Sequence, residues 1–348
     1  MKIAKLTSIV IVLTTLTTTF SIAQDKFSEY SSKKWKDLAI KIPAAWYGSD
    51  EKKLVAENVL LSQKKIVGWE KNKALHQIFK KQTLSQSNQK NRVIILTDIE
   101  ADPDDTQSLV RLLLYSNQID IKGIIATTSC WLTNEVHPES IKKVIEAYSK
   151  VRLNLLKHES GFPNPETLLS LVRQGMPKYG MKGVGKGMDS EGSDWIIKVL
   201  EEKDERPLWI STWGGVNTLA QTLYKIEKTK SNKEAKRLIS KLRVYTISDQ
   251  DDSGIWIRNN FPDLFYIVSP GDDYGSATWS GINSFVQHID NTTISNKWIA
   301  QNIQKNHGPL GAIYPDVAWG LEGDTPAFMS LIPNGLNKSE NPEWGGWG

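Results

Sequence analysis

Cysteine is almost missing from this chain. The single Cys130 excludes an internal disulfide and a thiolate-based zinc site. Histidine is sparse too, and the five at positions 76, 137, 158, 288 and 307 show no metal-ligand spacing. That argues against a zinc enzyme. No G-x-G-x-x-G or P-loop follows a first strand-like run, and KGVGKG at 182–187 has no strand pattern before it, so it reads as a mobile loop. A G-x-S-x-G elbow is also missing, which leaves serine-nucleophile chemistry without a local motif. Beyond the first two dozen residues, no stretch is apolar enough to span a membrane.

With 348 residues, 39% hydrophobic and 24% charged, the chain can build a sizeable core or two domains. Its net charge of +4 is unevenly spread. The leader holds Lys2 and Lys5, and residues 25–90 hold fourteen lysines against seven acids, which leaves −5 for everything from 91 onward. An acidic main domain argues against a nucleic-acid partner and suits a divalent cation. Residues 1–24 have two lysines, an apolar Thr-rich stretch and then small residues, the order of a secretory signal. A secreted or periplasmic protein with no membrane segment in its mature form is therefore expected. Residues 25–80 read as a short basic helical segment that cannot bury a core alone, and 81–91 as a polar linker.

From residue 92, strand and helix patterns alternate. RVIILTD, IDIKGIIATTS, RPLWISTW, KLRVYTIS and LFYIVSP are apolar and β-rich, while DTQSLVRLLLYSN, HPESIKKVIEAYSK and VNTLAQTLYKI have helical periodicity. This predicts an α/β fold, a mostly parallel sheet with helices on both faces and a site at the carboxyl ends of its strands. DSEGSDW at 189–195 reads as a polar rim loop.

The strongest chemical signal is TDIEADPDDTQSL, in which Asp98, Glu100, Asp102, Asp104 and Asp105 fall within eight positions where a strand meets a helix. So many carboxylates repel one another unless a positive partner is present. A hard oxygen-seeking ion fits, Ca²⁺ ahead of Mg²⁺ because an irregular loop tolerates its flexible coordination. The alternative is that Asp104 and Asp105 form an acidic cap at a helix N-terminus, with no metal needed. In STWGGVNTLAQ two glycines expose the last strand carbonyl, that of Trp213, whose ring is equally suited to packing. EGDTP brings Glu322 and Asp324, or is simply a surface turn. In SDQDDSGIWIRNNF, Asp252, Trp256 and Asn260 offer carboxylate, aromatic and amide partners for a sugar, although Trp256 could pack instead. Thirteen tryptophans are many for this length, and those near loop glycines suit flat sugar faces.

The acidic loop, together with GIIATTSCW, NLLKHESGFPNPETLLSLV, RPLWISTWGGVNTLAQTL and EGDTPAFMSLIPNGL in that order, resembles the nucleoside hydrolase superfamily. The similarity is greatest to its bacterial nucleoside-hydrolase-like branch associated with cellulose binding, and it runs over residues 92–348. The resemblance implies a Rossmann-like domain and a Ca²⁺-dependent hydrolase of N-glycosidic or other small glycosidic bonds. A non-catalytic plant-polysaccharide-binding protein on the same fold is the alternative. By the same resemblance Asp98, Glu100, Asp105, the Trp213 carbonyl and Asp324 hold the ion. Glu100 and Asp104 carry the catalysis, and Asp104, Asp252, Trp256 and Asn260 contact substrate. Glu100 departs from the Asp found at its position in the classical enzymes. The implied partner is a small glycoside, a nucleoside or a plant oligosaccharide, with a homodimer left open. Residues 44–72 resemble the N-terminal part of family 10 pectate lyases, but the likeness stops before any catalytic region. The closing EWGGWG resembles an internal family motif, so a longer parent chain is expected.

Overall fold

Strand β1, Arg92–Thr97, is fully buried along its length and lies at the centre of the sheet. The structure is a computed structural model and describes residues 90–269, 290–332 and 339–342. The expected signal, the basic helical segment, nearly all of the linker, the pectate-lyase-like stretch and the EWGGWG end lie outside the described residues. Lys80–Gly348 forms one compact unit. Among the described residues, no helix is long and apolar enough to cross a membrane.

The chain runs from β1 through α1 (Asp104–Leu114) to β2 (Asp120–Ala126). It continues through α2 (Pro138–Ser149), α3 (Arg152–His158) and α4 (Pro165–Ser170) to a short β3 (Val172–Gln174). Helix α5 (Glu191–Glu201) leads to β4 (Leu208–Thr212), and α6 (Asn217–Thr229) and α7 (Asn232–Ser240) lead to β5 (Leu242–Thr246). Helix α8 (Ser253–Asn260) precedes β6 (Phe265–Val268); α9 (Asn296–Ile299), α10 (Gly308–Ile313) and α11 (Thr325–Met329) complete the described α-helices.

All five strand pairings are parallel, in the order β3-β2-β1-β4-β5-β6. That order is the doubly wound arrangement, whose direction of winding reverses between β1 and β4. Alternation along β1 divides the core. Val93 and Ile95 face α1, α2 and α11, where Leu109, Ile145 and Phe328 are buried, whereas Ile94 and Leu96 face α5 and α6 with Ile196, Leu219 and Leu223. Buried on both faces, the central strands have no polar side to display, which explains their continuous apolar runs.

Two local readings change. DSEGSDW is not a rim loop, because Ser190 caps α5 in a reciprocal capping box with Ser193 and the segment becomes helix at Glu191. The glycine-rich stretch does follow a strand, the three-residue β3, too short to show a periodic signal.

Candidate functional site

Parallel packing brings the carboxyl ends of β1 and β4 side by side, since Leu96 pairs with Thr212. The chain leaves β1 at Asp98 and β4 at Trp213, and both residues are buried. Helices that leave these strands must splay to opposite faces, which opens a crevice at this point.

The acidic loop fills that crevice. A turn closed by the Ala101 N–H donating to the Asp98 carbonyl at 2.8 Å reverses the chain, and Asp102 then accepts from the Asp104 N–H at 3.0 Å. Helix α1 begins at Asp104, so Asp104 and Asp105 occupy its first turn, both buried. Carboxylate oxygens of Asp102, Asp104 and Asp105 lie within 4.8 Å of one another. The Thr97 hydroxyl donates to Asp105. Gly214 makes room for Asp98, because a Cβ there would lie 2.5 Å from Asp98 Oδ1.

EGDTP is not a surface turn. Glu322 and Asp324 are both buried, and the segment is strapped to α1. Arg111 grips Glu322 with two hydrogen bonds of 2.8 and 2.9 Å, Tyr314 donates to the same carboxylate at 2.8 Å, and the Glu322 N–H donates to Gln107 Oε1 at 2.9 Å. This strap carries Asp324, at the start of α11, into the field of the acidic loop.

The electrostatics record the crowding. Burial pushes the Asp98 carboxyl up to about 6, opposed by the Ser129 hydroxyl and reinforced by Asp102. Burial, then Asp98 and Asp104, holds Asp105 well above the usual carboxylate range. Asp324 is raised by burial first and then by Asp104, Asp105 and Asp98. Asp98 Oδ1 and Asp324 Oδ2 are buried with no hydrogen-bond partner. Orphaned buried carboxylate oxygens are costly. In a cluster of hard oxygen donors they fit a divalent cation.

Asp98, Asp104, Asp105 and Asp324 are thus brought together, and Trp213 borders them. The Trp213 carbonyl accepts from Gln250 Nε2, while its ring is buried against Phe328, centroids 5.9 Å apart. The other predicted residues are placed differently. Glu100, at φ +82°, is exposed and turned outward, accepting from the Ser140 hydroxyl, with His137 Nδ1 at 3.6 Å. Asp252, also exposed, accepts from the Met181 N–H at 2.8 Å and anchors the loop after β3. Trp256 packs edge-on against Phe261 at 5.7 Å beside the α5–α6 core. Asn260 corrects the sugar assignment most clearly. It ends α8, donates to the Trp256 carbonyl at 2.8 Å, and lines a surface groove with Leu242, Arg243 and Phe265, where β5 and β6 begin. A helix after a parallel strand runs back along it, so its last residue reaches the edge opposite the strand carboxyl ends.

Asp102 was passed over by the residue-by-residue resemblance, which falls on its neighbours; only its membership of the acidic run marks it. The frame behind the site was not visible either. Asp251 accepts from the Asn217 N–H at 3.1 Å and the Ser253 N–H at 2.9 Å. Asn217 bridges to Thr128 Oγ1 at 3.1 Å and to the Lys178 carbonyl at 2.7 Å, so the loops after β2, β3, β4 and β5 are stitched together.

A six-stranded parallel sheet of this order, with carboxylates converging at its switch point, is a doubly wound α/β domain with its candidate site where that architecture places ligands. The family model described as "Cellulose-binding Sde182, nucleoside hydrolase-like domain" matches residues 92–348, and the chain belongs to that family. A solved structure of a nucleoside hydrolase-related hypothetical protein from Saccharophagus degradans, associated with carbohydrate metabolism, is 40% identical with a TM-score of 0.66. The match covers 74% of this chain and 59% of that one, so this chain spans under two thirds of the relative's length. The effector protein XOO4466 is similar at 12% identity and a TM-score of 0.29, over 74% of this chain and 85% of that one. Type III effector XopQ, solved with adenosine diphosphate ribose, is similar at 11% and 0.28, over 75% and 87%. No curated protein matches the chain.

Proposed function

We propose that the crevice between β1 and β4 is a Ca²⁺-dependent sugar site that hydrolyses a small glycosidic bond. The observation that carries this reading is the set of buried carboxylates at the switch point, two of them with an unpartnered oxygen. Asp98, Asp105, Asp324 and the Trp213 carbonyl would hold the ion, with Asp102 in place of Glu100. A bound divalent cation supplies the missing positive charge and a polarised water. Asp104 accepts a hydrogen bond from a sugar hydroxyl, a contact that strengthens as charge develops at the anomeric carbon. A carboxylate of the acidic loop takes the proton of the attacking water as the bond from the anomeric carbon to the leaving group breaks, and the departing group takes its proton from solvent. The lysine-led apolar leader supports a protein that meets its ligand outside the cytoplasm.

A second reading, sugar binding without turnover, is favoured by Glu100. The family's cellulose-binding description points the same way. Turned toward Ser140 and His137, Glu100 leaves the loop without the longer acid at the position expected to act.

One assay panel separates the two. Purified protein is given nucleosides, aryl glycosides and plant oligosaccharides with and without Ca²⁺, and both turnover and binding heat are recorded. Hydrolysis is expected to require Ca²⁺ and to fall roughly 30- to 1000-fold in Asp104→Asn, with the melting temperature retained. Saccharide binding with no turnover would select the second reading. Turnover unchanged in Asp104→Asn at saturating Ca²⁺ would remove the acidic loop from the chemistry.

A further inference from the structure

The strap has a second hollow beside it. A cavity of about 390 Å³ opens between α1, α3, α10 and a π-helical turn at Ala300–Gln304, with Arg111 and Glu322 in its lining. It is not the acidic crevice. Arg111 and Leu114 line it from the last turn of α1, and at 1.5 Å per residue Leu114 is about 15 Å along the helix from Asp104.

The floor is apolar. Val110 and Leu310 are buried, Val151, Leu155 and Ile303 are half-buried against the same core, and Leu114 is 38% exposed. One wall departs from regular helix. The π turn runs into Asn306 at φ +62° and Gly308 at φ +83°, and a Cβ at Gly311 would lie 1.9 Å from the Ile303 carbonyl oxygen, so only glycine lets α10 close on the turn. Such π insertions recur at functional sites.

The polar lining is rich in donors. Arg111 uses Nε and Nη2 on Glu322 and keeps Nη1 free among the described residues, while Glu322, the one carboxylate in the lining, is almost wholly buried and also takes the Tyr314 hydroxyl. His158, exposed on α3, has no partner among the described residues. Lys157 Nζ donates at 3.0 Å to Asn154 Oδ1, a lining residue, which holds an ammonium at the rim. An aliphatic floor beside free donors and cations, with its acid already paired, suits an apolar molecule that carries one negative group.

We propose that this cavity is a second ligand site, for a small amphipathic carboxylate with its anionic group on an apolar body of roughly ten non-hydrogen atoms, a size set by about 30 Å³ for a water-sized group. Arg111 Nη1 and the His158 imidazole supply donors for the carboxylate oxygens, and the aliphatic side chains take the body. The site stands apart from the sugar reading of the crevice. A saccharide here would press hydroxyls against methyl groups that offer them no partner.

The test is calorimetry and imidazole NMR of the full chain in chelator, so that no carboxylate can bind through an ion in the crevice. Four compounds are compared: 3-phenylpropanoate, octanoate, 3-phenylpropanamide and acetate. Saturable binding of at least one of the first two is expected, and their ratio tells an aryl body from an alkyl one. The amide, which keeps the body without the charge, should bind at least about 10-fold more weakly than 3-phenylpropanoate where that acid binds, and acetate, which keeps the charge without the body, should bind more weakly than either acid that binds. Leu114→Asp places a carboxylate among the donors and should weaken the bound acid at least about 30-fold, and His158→Ala should weaken it roughly 3- to 10-fold. Both side chains are exposed, so melting temperatures should match wild type. The His158 signals should move on binding and those of His137, beside Glu100, should stay. No binding of either acid, an amide or acetate that binds as tightly, full affinity in Leu114→Asp, or a His158 signal that does not move would each overturn the proposal.

Discussion

Glu100 stands at φ +82° with a side chain, a backbone region that a non-glycine residue enters at a cost of about 1 kcal/mol. Its carboxylate is engaged with Ser140 and His137, outside the cluster. Glu100→Gly should therefore leave stability within about 1 kcal/mol of wild type, strain relief offsetting the lost exposed contact, and leave Ca²⁺ affinity within about threefold. Asp105→Asn should weaken Ca²⁺ at least about tenfold, and calorimetry on the two variants compares them directly. Asp98 sets a pH dependence. Its folded carboxyl binds the proton more tightly than the unfolded one, moving from 3.8 to about 6. The stability this group contributes is thus fully present below its unfolded value and is lost as pH rises through about 6, a change on the order of 3 kcal/mol for a buried carboxyl. Asp105 and Asp324 are raised too and act in the same direction. Chelated protein should melt lower at pH 7 than near pH 5, and if the ionised cluster holds Ca²⁺ as proposed, added Ca²⁺ should restore more at pH 7 than at pH 5. A chelated melting temperature that rises steadily from pH 5 to 7 would contradict the crowded cluster.

The strap between α10 and α11 is where one element depends on another. Glu322 is almost wholly buried and Arg111 is partly exposed, so removing the guanidinium leaves an uncompensated carboxylate beneath the surface. Arg111→Met should cost about 2–4 kcal/mol in urea unfolding, with Glu322→Gln in the same chain recovering part of it, and should weaken Ca²⁺ through the displaced Asp324. Elements were legible in the sequence where one physical signal ruled. The β1 run RVIILT, buried on both faces, and the amphipathic α1 stand where their patterns place them. The β3 strand escaped because three residues carry no period. Asp98, Asp104 and Asp105 were visible as local charge, and Asp324 only through resemblance, since EGDTP alone has the composition of a turn. Trp256 packs, one of the two roles its ring suggested, while Glu100 and Asn260 stand away from the cluster for a common reason. Composition shows which groups are chemically suited to a sugar, while the direction of a helix or the hand of one dihedral decides whether they face it.

At the scale of the whole molecule, the site depends on strand order. Asp98–Asp105, Trp213–Asn217 and Glu322–Thr325 are separated by a hundred residues or more along the chain, and they become neighbours because β1 and β4 lie side by side while α11 packs on α1 beside β4. One ion at that point would tie all three segments to a common equilibrium. Local opening of each loop then requires release of the ion, so their amides should slow together by a factor that follows free Ca²⁺ as 1 + [L]/Kd. The central strands β1 and β4, buried on both faces, should exchange slowest in either state, and the α8 end at Asn260, on the opposite edge, should not respond. Hydrogen exchange read by mass spectrometry across a Ca²⁺ titration measures all of these regions in one experiment. Protection confined to residues 98–105 would mean that the acidic loop binds cations as an ordinary charged turn. Protection that appears in the three segments at one shared midpoint, with Asn260 unchanged, is the result expected if the sheet topology assembles a single site.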